Sequence, residues 1–309
     1  MGELVFPVEF GPYTLLDKIG QGGMADIFLA RRTDDGESGE RLVVKRILPE
    51  YAGNSVFEEM LKQEAEVTAS LVHDGIVGIH GFDSVGKHSF IAMEHVEGKD
   101  LLRVLSRCSK KKVRIPLDIA AFIVAEVAEA LHYAHVRRDS SGKALNIVHR
   151  DISPSNVLIS FEGDVKITDF GVAKAGAPTQ QELGEGMLKG KVGYMSPEQV
   201  SGRNFDFRAD IFALGILVYE TATLKRAFMG RTDLETLLNI RACNIEAKIK
   251  KHPYLPEALI DILHHTLTAN LEERLDTAES CARMLRDYIL DTGACADKES
   301  MRWFIRGLF

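Results

Sequence analysis

The feature of this sequence that most restricts its fold is a change in the period of its apolar residues near Glu97-Gly98. Before this point, short apolar runs such as Leu42-Val43-Val44 alternate with turn residues, as β-strands do. Only the segment from Val56 to Val72 has helical spacing there. After this point the pattern is mostly helical. We therefore predict an α+β fold, in which a β-rich first part with one main helix precedes a helical second part.

The predicted elements of the second part include a long, strongly apolar helix from Pro116 to Val136. Further helices are predicted at Ala209–Thr223, Leu234–Ile240, Pro256–Leu267 and Thr277–Leu290, and strands at Ile76–Phe82, Ser89–Val96, Val157–Ile159 and Val165–Ile167.

The tail after Thr292 mixes aromatic and basic residues. It could either dock a partner or simply pack on the helical part, and we prefer the second interpretation.

Composition favours a cytoplasmic globular protein, since 45% of the residues are hydrophobic and 27% are charged. Neither a membrane span nor a secretory leader is indicated. The four cysteines lie far apart, which predicts reduced thiols. A net charge of −7 gives no reason to expect a nucleic-acid partner. A short basic run of Lys110, Lys111, Lys112 and Arg114 is interpreted as a solvated loop.

A glycine-rich segment, Gly20-Gln21-Gly22-Gly23, lies between two predicted strands. Glycine lets backbone N–H groups approach phosphate oxygens, although such a turn can also be a plain hairpin. Lys45 then ends an apolar strand, where it could hold phosphates or simply extend to solvent. A carboxylate on the following helix would orient it. Glu64 is suitable, and on spacing alone Glu58, Glu59 and Glu66 compete with it.

Two polar loops follow the long apolar helix. Asp151 and Asn156 are five residues apart in one loop, which suits a carboxylate facing an incoming hydroxyl and an amide facing a metal ion. Asp169 ends a predicted strand and precedes Phe170-Gly171, and an acidic residue in that position is a good ligand for a hard cation.

In this order, the motifs resemble the signature set of eukaryotic-type (Hanks-type) serine/threonine protein kinases, and more narrowly their bacterial branch. The resemblance extends from Tyr13 to about Leu290. It implies a bilobal kinase domain over residues 13–290, with an N-lobe at 13–96 and a C-lobe at 99–290. Residues 1–12 would be an extension and 291–309 a tail.

The resemblance implies a transferase of bacterial signalling that moves the γ-phosphoryl group of ATP to protein serine or threonine hydroxyls. Mg²⁺ is the implied cation, with Mn²⁺ as an alternative. Lys45 and Glu64 would form a pair, Asp151 would be the catalytic base, and Asn156 and Asp169 would bind the metal. The implied nucleotide-binding residues, including the hinge around His95, are Gly20, Gln21, Gly22, Gly23, Ile27, Lys45, Met93, Glu94, Val96, Asn156 and Asp169.

Three further residues have implied structural roles. Glu198, in Ser196-Pro197-Glu198, is expected to pair with Arg274, and Asp210 is expected to anchor the backbone of the catalytic loop. The complete segment ending at Glu198 argues against a small-molecule phosphotransferase, because in the family it forms a platform for peptides.

The sequence departs from the family pattern at three positions. Ala25 replaces the third glycine of the loop, Ser153 stands where lysine is usual, and Lys191 stands where threonine is usual. We hypothesise that Lys191 supplies its charge to the Asp151 region and acts as a catalytic residue; alternatively, it points to solvent. Ser153 and Ala25 also support the alternative function, a nucleotide-binding scaffold resembling a pseudokinase.

Autophosphorylation is a further expectation of the resemblance. In the family, an arginine before the catalytic aspartate, here Arg150, often pairs with a phosphorylated residue of the activation segment. Thr179 is the candidate acceptor in this segment.

Overall fold

The computed structural model describes residues 5–170 and 192–309. The chain divides into two compact units. The first comprises Met1–His73 and Val77–Val96, and the second comprises Asp74–Ile76 and Glu97–Phe309. The change of apolar period near Glu97-Gly98 therefore coincides with the passage from one unit to the other.

A six-stranded antiparallel sheet forms most of the first unit, with the strand order β1-β2-β3-β4-β6-β5. Its first strand begins within the segment that the sequence predicts to be an extension, and the Phe10 ring packs edge-on against Phe90 at 5.2 Å. The strands are β1 (Val8–Phe10), β2 (Tyr13–Gln21), β3 (Ala25–Arg32), β4 (Arg41–Ile47), β5 (Ile79–Val85) and β6 (His88–Glu94).

Side chains of β4 alternate between the two faces of this sheet, one of which packs in the apolar core. Val44 points into a buried cluster with Phe28 and Phe90, so its neighbour Lys45 points to the opposite face. Helix α1 (Ser55–Ala69) contacts β5 and β6 and buries Leu61, Ala65 and Thr68. Its N-terminus is capped by the Asn54 side chain, which accepts a hydrogen bond from the Val56 amide at 3.0 Å.

Helices dominate the second unit, and the two longest described helices are mostly apolar and largely buried. Every residue of α5 (Arg208–Thr223) from Ala209 onward is buried. At Gly215, a Cβ would collide with the Thr266 side chain, so glycine permits the close approach of α8 (Glu257–Thr266). The described helices of this unit are α2 (Leu101–Lys111), α3 (Leu117–His135), α4 (Pro197–Val200), α5 (Arg208–Thr223), α6 (Asp233–Ala242), α7 (Glu246–Ile249), α8 (Glu257–Thr266), α9 (Ala278–Asp291) and α10 (Lys298–Leu308).

Helix α2 corrects one expectation. Lys110 and Lys111 belong to its last turn, and Lys112 is its C-cap, so the interpretation of this basic run as a loop was wrong at the first two lysines. Positive side chains are favourable in the last turn because the carbonyl ends of the peptide dipoles point there.

A three-stranded antiparallel sheet in the second unit places the polar loops. It consists of β7 (Gly98–Asp100), β8 (Val157–Ser160) and β9 (Val165–Ile167). Asn156 immediately precedes β8, and Asp169 follows β9 by two residues. The β8–β9 hairpin therefore has both residues at its open end and the turn 161–164 at the other.

The tail after Thr292 folds into α10 and packs on the second unit, as the sequence predicts. Asp297 and Ser300 form a capping box at its start. The helix buries Met301, Ile305 and Leu308 and contacts α2 and β8, whereas Trp303 is 67% exposed. Among the described residues, none of the helices combines the length and apolarity that crossing a bilayer requires. All four cysteines are free thiols.

Candidate active site

The first unit contributes an ion pair between a strand and a helix. Lys45 Nζ, on β4, lies 2.6 Å from Glu64 Oε1, on α1, and both side chains are less than one-fifth exposed. The predicted pair is thus formed. Two competing carboxylates are directed elsewhere, since Glu59 accepts a hydrogen bond from Gln63 and Glu66 lies near Lys62.

The glycine-rich segment connects β2 to β3 close to this lysine in the register of the sheet. Gly20 pairs with Ile27, and Ile27 pairs with Lys45. The Gly22 amide donates to the Ala25 carbonyl at 2.7 Å, which closes the turn. A Cβ at Gly23 would meet nothing within 4 Å. The turn therefore has the open backbone that phosphate binding needs, and it is also a well-formed hairpin.

The predicted hinge residues lie at the end of β6. Met93 is buried and pairs with Val43. The Glu94 amide donates to the Gly78 carbonyl at 2.8 Å, and its carboxylate accepts from the Gly78 amide at 3.1 Å. Glu94 is thereby fixed to the neighbouring chain segment, and His95 and Val96 follow directly as the last residues of the first unit.

A buried carboxylate holds the catalytic loop of the second unit. Asp210 accepts hydrogen bonds from the backbone amides of His149 at 2.8 Å and Arg150 at 2.9 Å, and its Oδ2 lies 2.9 Å from His135 Nε2. Burial opposes ionisation, but the bonds from His135 and the backbone lower the pKa of Asp210 below its usual value. These contacts hold the loop where Arg150 has a φ of 67°. The predicted anchoring role is confirmed.

Asp151 and Asn156 are in direct contact. Asn156 Nδ2 donates to the Asp151 carbonyl at 2.8 Å and to its carboxylate at 3.0 Å, and Asn156 is buried. The amide nitrogen is thus committed to Asp151, which leaves the amide oxygen as the atom suited to a cation. The sequence predicts that Asp151 faces the acceptor hydroxyl and that Asn156 faces a metal ion. The structure adds a direct hydrogen bond between these two side chains.

Asp169 lies beside Asn156 because of the hairpin. The Thr168 amide donates to the Asn156 carbonyl at 3.0 Å, and Asp169 itself has a φ of 61°. The next residue, Phe170, is buried and packs on His149 with ring centroids 4.5 Å apart. Burial lowers the pKa of His149 below its usual value, which favours the neutral form of this ring.

Asn156 and Asp169, at the open end of the β8–β9 hairpin, fit a magnesium ion. A carboxylate and an amide oxygen are hard donors, and Mg²⁺ is commonly held by only one or two protein groups together with substrate phosphates. Groups of three or more histidine, cysteine or acidic side chains, which another metal would favour, do not occur in the described part of the chain.

The Ser153 side chain is buried, and its hydroxyl lies 2.9 Å from the Ser155 hydroxyl. The other two residues that the sequence singles out here, Lys191 and Thr179, lie outside the described residues.

Two sets of side-chain contacts at buried acidic residues hold the end of the activation segment, which closes at Glu198. The first is the predicted pair between Arg274 and Glu198, at 2.7 and 3.1 Å, which is confirmed. The second was missed: Glu220, on α5, accepts from the Tyr194 hydroxyl at 2.8 Å and from Arg226 at 3.0 Å. The sequence signal that could have revealed this contact is an acidic residue in the interior of an apolar helix. An acidic side chain is rarely buried without partners, so its position predicts a bonding partner.

Comparison with known proteins agrees with this geometry. The family model described as "Protein kinase domain" matches residues 13–285. The chain belongs to the protein kinase family. The resemblance to the bacterial branch is confirmed, since the similar proteins below are bacterial kinases.

The tyrosine-protein kinase MasK of Myxococcus xanthus is 36% identical to the chain over 300 residues, which are 97% of this chain and 46% of MasK. The serine/threonine-protein kinase PknA of Mycobacterium tuberculosis is 34% identical, over 84% of this chain and 57% of PknA. The probable serine/threonine-protein kinase PknB of Lactococcus lactis is 32% identical, over 91% and 42%. The chain spans about half the length of these relatives.

The fold is that of solved kinase domains. The crystal structure of the PknI kinase domain of Mycobacterium tuberculosis superposes with a TM-score of 0.64 at 23% identity, covering 93% of this chain and 99% of that one. The predicted α+β kinase fold is confirmed.

Proposed function

We propose that this chain is an active protein kinase that transfers the γ-phosphoryl group of ATP to serine or threonine hydroxyls of proteins. The observation that carries the proposal is the contact between Asn156 and Asp151, in which a side chain suited to the metal also fixes the carboxylate suited to the acceptor. A scaffold without catalysis would have no need for this contact.

Each group has a defined task in this function. Asn156 and Asp169 would hold Mg²⁺, which neutralises charge on the phosphates when it is bound. Lys45, oriented by Glu64, would bind phosphate oxygens, and the turn around Gly23 would cover them with backbone N–H groups. Glu94 and Val96 would contact the adenine base through their backbone.

Asp151 would accept or orient the proton of the incoming hydroxyl. The transition state of phosphoryl transfer is loose, so alignment of the acceptor contributes more than a strong base does. The hydrogen bond from Asn156 fixes the direction of the carboxylate, and Asp210 fixes the backbone on which Asp151 stands. The location that fits an ATP-dependent enzyme is the cytoplasm, and the expected partners are proteins, including other copies of the chain.

The names of the similar proteins differ in the acceptor hydroxyl that they indicate. PknA and PknB are named serine/threonine kinases, whereas MasK is named a tyrosine kinase. We favour serine and threonine because Pro154 follows Ser153, as in the serine/threonine members of the family. Tyrosine is the second candidate, and the name of MasK is the observation in its favour.

One experiment tests both the activity and the acceptor. The purified chain is incubated with labelled ATP, Mg²⁺ and a general protein acceptor, and the phosphorylated amino acids are identified. We expect phosphoserine and phosphothreonine in the wild type, and none with Asp151→Asn or Asp169→Ala.

The variants also discriminate against the alternative. A scaffold resembling a pseudokinase would bind nucleotide with equal affinity in wild type and Asp151→Asn and would label no protein in either. Labelling confined to tyrosine would replace our choice of acceptor and leave the activity in place.

A further inference from the structure

Helix α10 makes an unusually concentrated set of contacts with one four-residue turn, Phe161-Glu162-Gly163-Asp164. Its three basic residues, spaced four apart, all point at this turn. Lys298 pairs with Asp164, Arg302 lies 3.6 Å from Glu162, and Arg306 pairs with Glu162. Arg306 also donates to the Phe161 carbonyl at 2.8 Å.

The backbones of the helix and the turn are also in close contact. Gly163 has a φ of 92°, and a Cβ there would collide with the carbonyl of Lys298. Exposed ion pairs contribute little stability, so most of the stability of this contact comes from the buried residues Met301, Ile305 and Leu308. The polar contacts instead fix the position of the turn relative to the helix.

The other end of α10 is attached to the start of the second unit. The Leu308 carbonyl accepts hydrogen bonds from Lys111 at 2.7 Å and Arg107 at 3.3 Å, both on α2. The Phe309 ring lies 5.8 Å from the Lys99 ammonium, on β7. Helix α10 thus bridges α2, β7 and the turn of the β8–β9 hairpin.

The turn belongs to the hairpin that carries the two proposed metal ligands. Strands β8 and β9 pair in continuous register from Ile159 and Val165 to Val157 and Ile167. Beyond that pair, the Thr168 amide bonds to the Asn156 carbonyl. With a rise of ~3.3 Å per residue, the turn lies on the order of 13 Å from the open end.

We propose that α10 is a positioning element for metal binding: by holding the turn 161–164, it fixes the hairpin and with it Asn156 and Asp169. This rests on the proposed function, in that these two residues bind the cation. The family model ends at residue 285, so α10 lies beyond the shared domain. The match with MasK covers 97% of this chain. It therefore includes part of the segment after residue 285 and extends into the tail.

The test compares two matched charge reversals in the full chain. Arg306→Glu places a carboxylate against Glu162. Arg286→Glu, the control, places one against Glu126 and Glu129 on α3, which Arg286 now bonds in a partly buried contact. Both variants lose an arginine ion pair of the second unit, but only the first touches the hairpin.

The primary measurement is the Mg²⁺ concentration needed for half-maximal binding of a non-hydrolysable ATP analogue, followed as the shift in Tm. Removing a direct partner of a metal ligand typically costs roughly 10- to 100-fold in metal affinity, and α10 acts at greater distance, so we expect roughly a three- to tenfold increase for Arg306→Glu. Arg286→Glu should require the wild-type concentration. Combining Arg306→Glu with Glu162→Arg should recover most of the loss.

Hydrogen exchange of the Thr168 amide without nucleotide gives a second measurement that needs no ligand. We expect faster exchange in Arg306→Glu than in Arg286→Glu. Equal Mg²⁺ requirements and equal exchange in the two variants would overturn the proposal. If the wild type itself binds no nucleotide with Mg²⁺, the proposed function fails, and exchange still decides whether α10 holds the hairpin. If Arg306→Glu does not fold, Arg306→Ala serves for the same measurements.

Discussion

The hydroxyl of Tyr194 donates a hydrogen bond of 2.8 Å to the carboxylate of Glu220, and both residues are buried. Tyr194 lies near the end of the activation segment, which closes at Glu198, and Glu220 lies within the most buried helix, α5. The bond therefore ties the end of that segment to the core of the second unit.

Replacing Tyr194 by phenylalanine should destabilise the fold. The change removes one donor from a buried carboxyl group while it keeps the ring, so we expect a loss of about 1–2 kcal/mol in the free energy of unfolding. Urea denaturation measures this. Tyr254→Phe, at a partly exposed tyrosine whose hydroxyl contacts His252, is the control and should lose less than half as much. Equal losses would show that the bond to Glu220 adds nothing.

The stability of the chain should depend on the protonation of Glu220. Burial raises the pKa of this carboxyl to about 8, against a weaker opposing effect of the Ala227 amide. A carboxyl with a raised pKa in the folded state binds its proton more tightly there, so its contribution to stability is present at low pH and declines as the pH rises toward 8. Unfolding free energies of Glu220→Gln should therefore decline less between pH 5 and 8 than those of the wild type. Parallel curves would contradict this.

Glu64→Gln should weaken ATP binding, because Lys45 then loses the carboxylate that orients it. We expect about a tenfold increase in KM for ATP, equivalent to ~1.4 kcal/mol. Glu66→Gln, on the same helix but paired at 3.8 Å with the exposed Lys62, should leave KM unchanged. A shift of KM in both variants would indicate a general effect of charge on α1.

Lys191→Ala tests the hypothesis from the sequence that this lysine replaces the charge missing at Ser153. A cation that stabilises the transferring phosphoryl group acts on kcat, and we expect a decrease of roughly 100-fold. Restoring lysine in the catalytic loop with Ser153→Lys should recover part of the activity. Wild-type turnover in Lys191→Ala would refute the hypothesis.

Thr179 is predicted to become phosphorylated when the chain is incubated with ATP and Mg²⁺. A phosphate there would pair with Arg150, as the family pattern implies. Mass spectrometry of the active protein measures this, with Asp151→Asn as the control that distinguishes autophosphorylation from other sources. Active enzyme without phosphate on Thr179 would remove this site.

Local patterns sufficed to predict most of the fold. The long helices α3 and α5 were predicted to within one residue at each end, because a long, nearly continuous series of apolar residues is typical of a buried helix. Helix α2 was not delimited, since its apolar side is short and its basic C-terminal turn looks like a loop. Strand β1 was missed because three residues give no pattern, and its pairing with β2 is what defines it.

The site was predictable where a motif and its spacing occur together. Glu64 was selected among four acidic residues on one helix through resemblance, whereas the ion pair itself depends on where the sheet places Lys45. Contacts between residues far apart in the sequence had no such signal. The attachment of α10 to the turn 161–164 joins residues about 140 positions apart, and no local pattern encodes it.

Trp303 is an intrinsic fluorophore located in helix α10. It is the sole tryptophan among 309 residues, so emission excited at 295 nm comes from this one helix. With two-thirds of its side chain exposed, it is accessible to a dissolved quencher. Anisotropy and quenching of the unmodified chain therefore report detachment of the helix directly, without a dye or a second tryptophan to correct for.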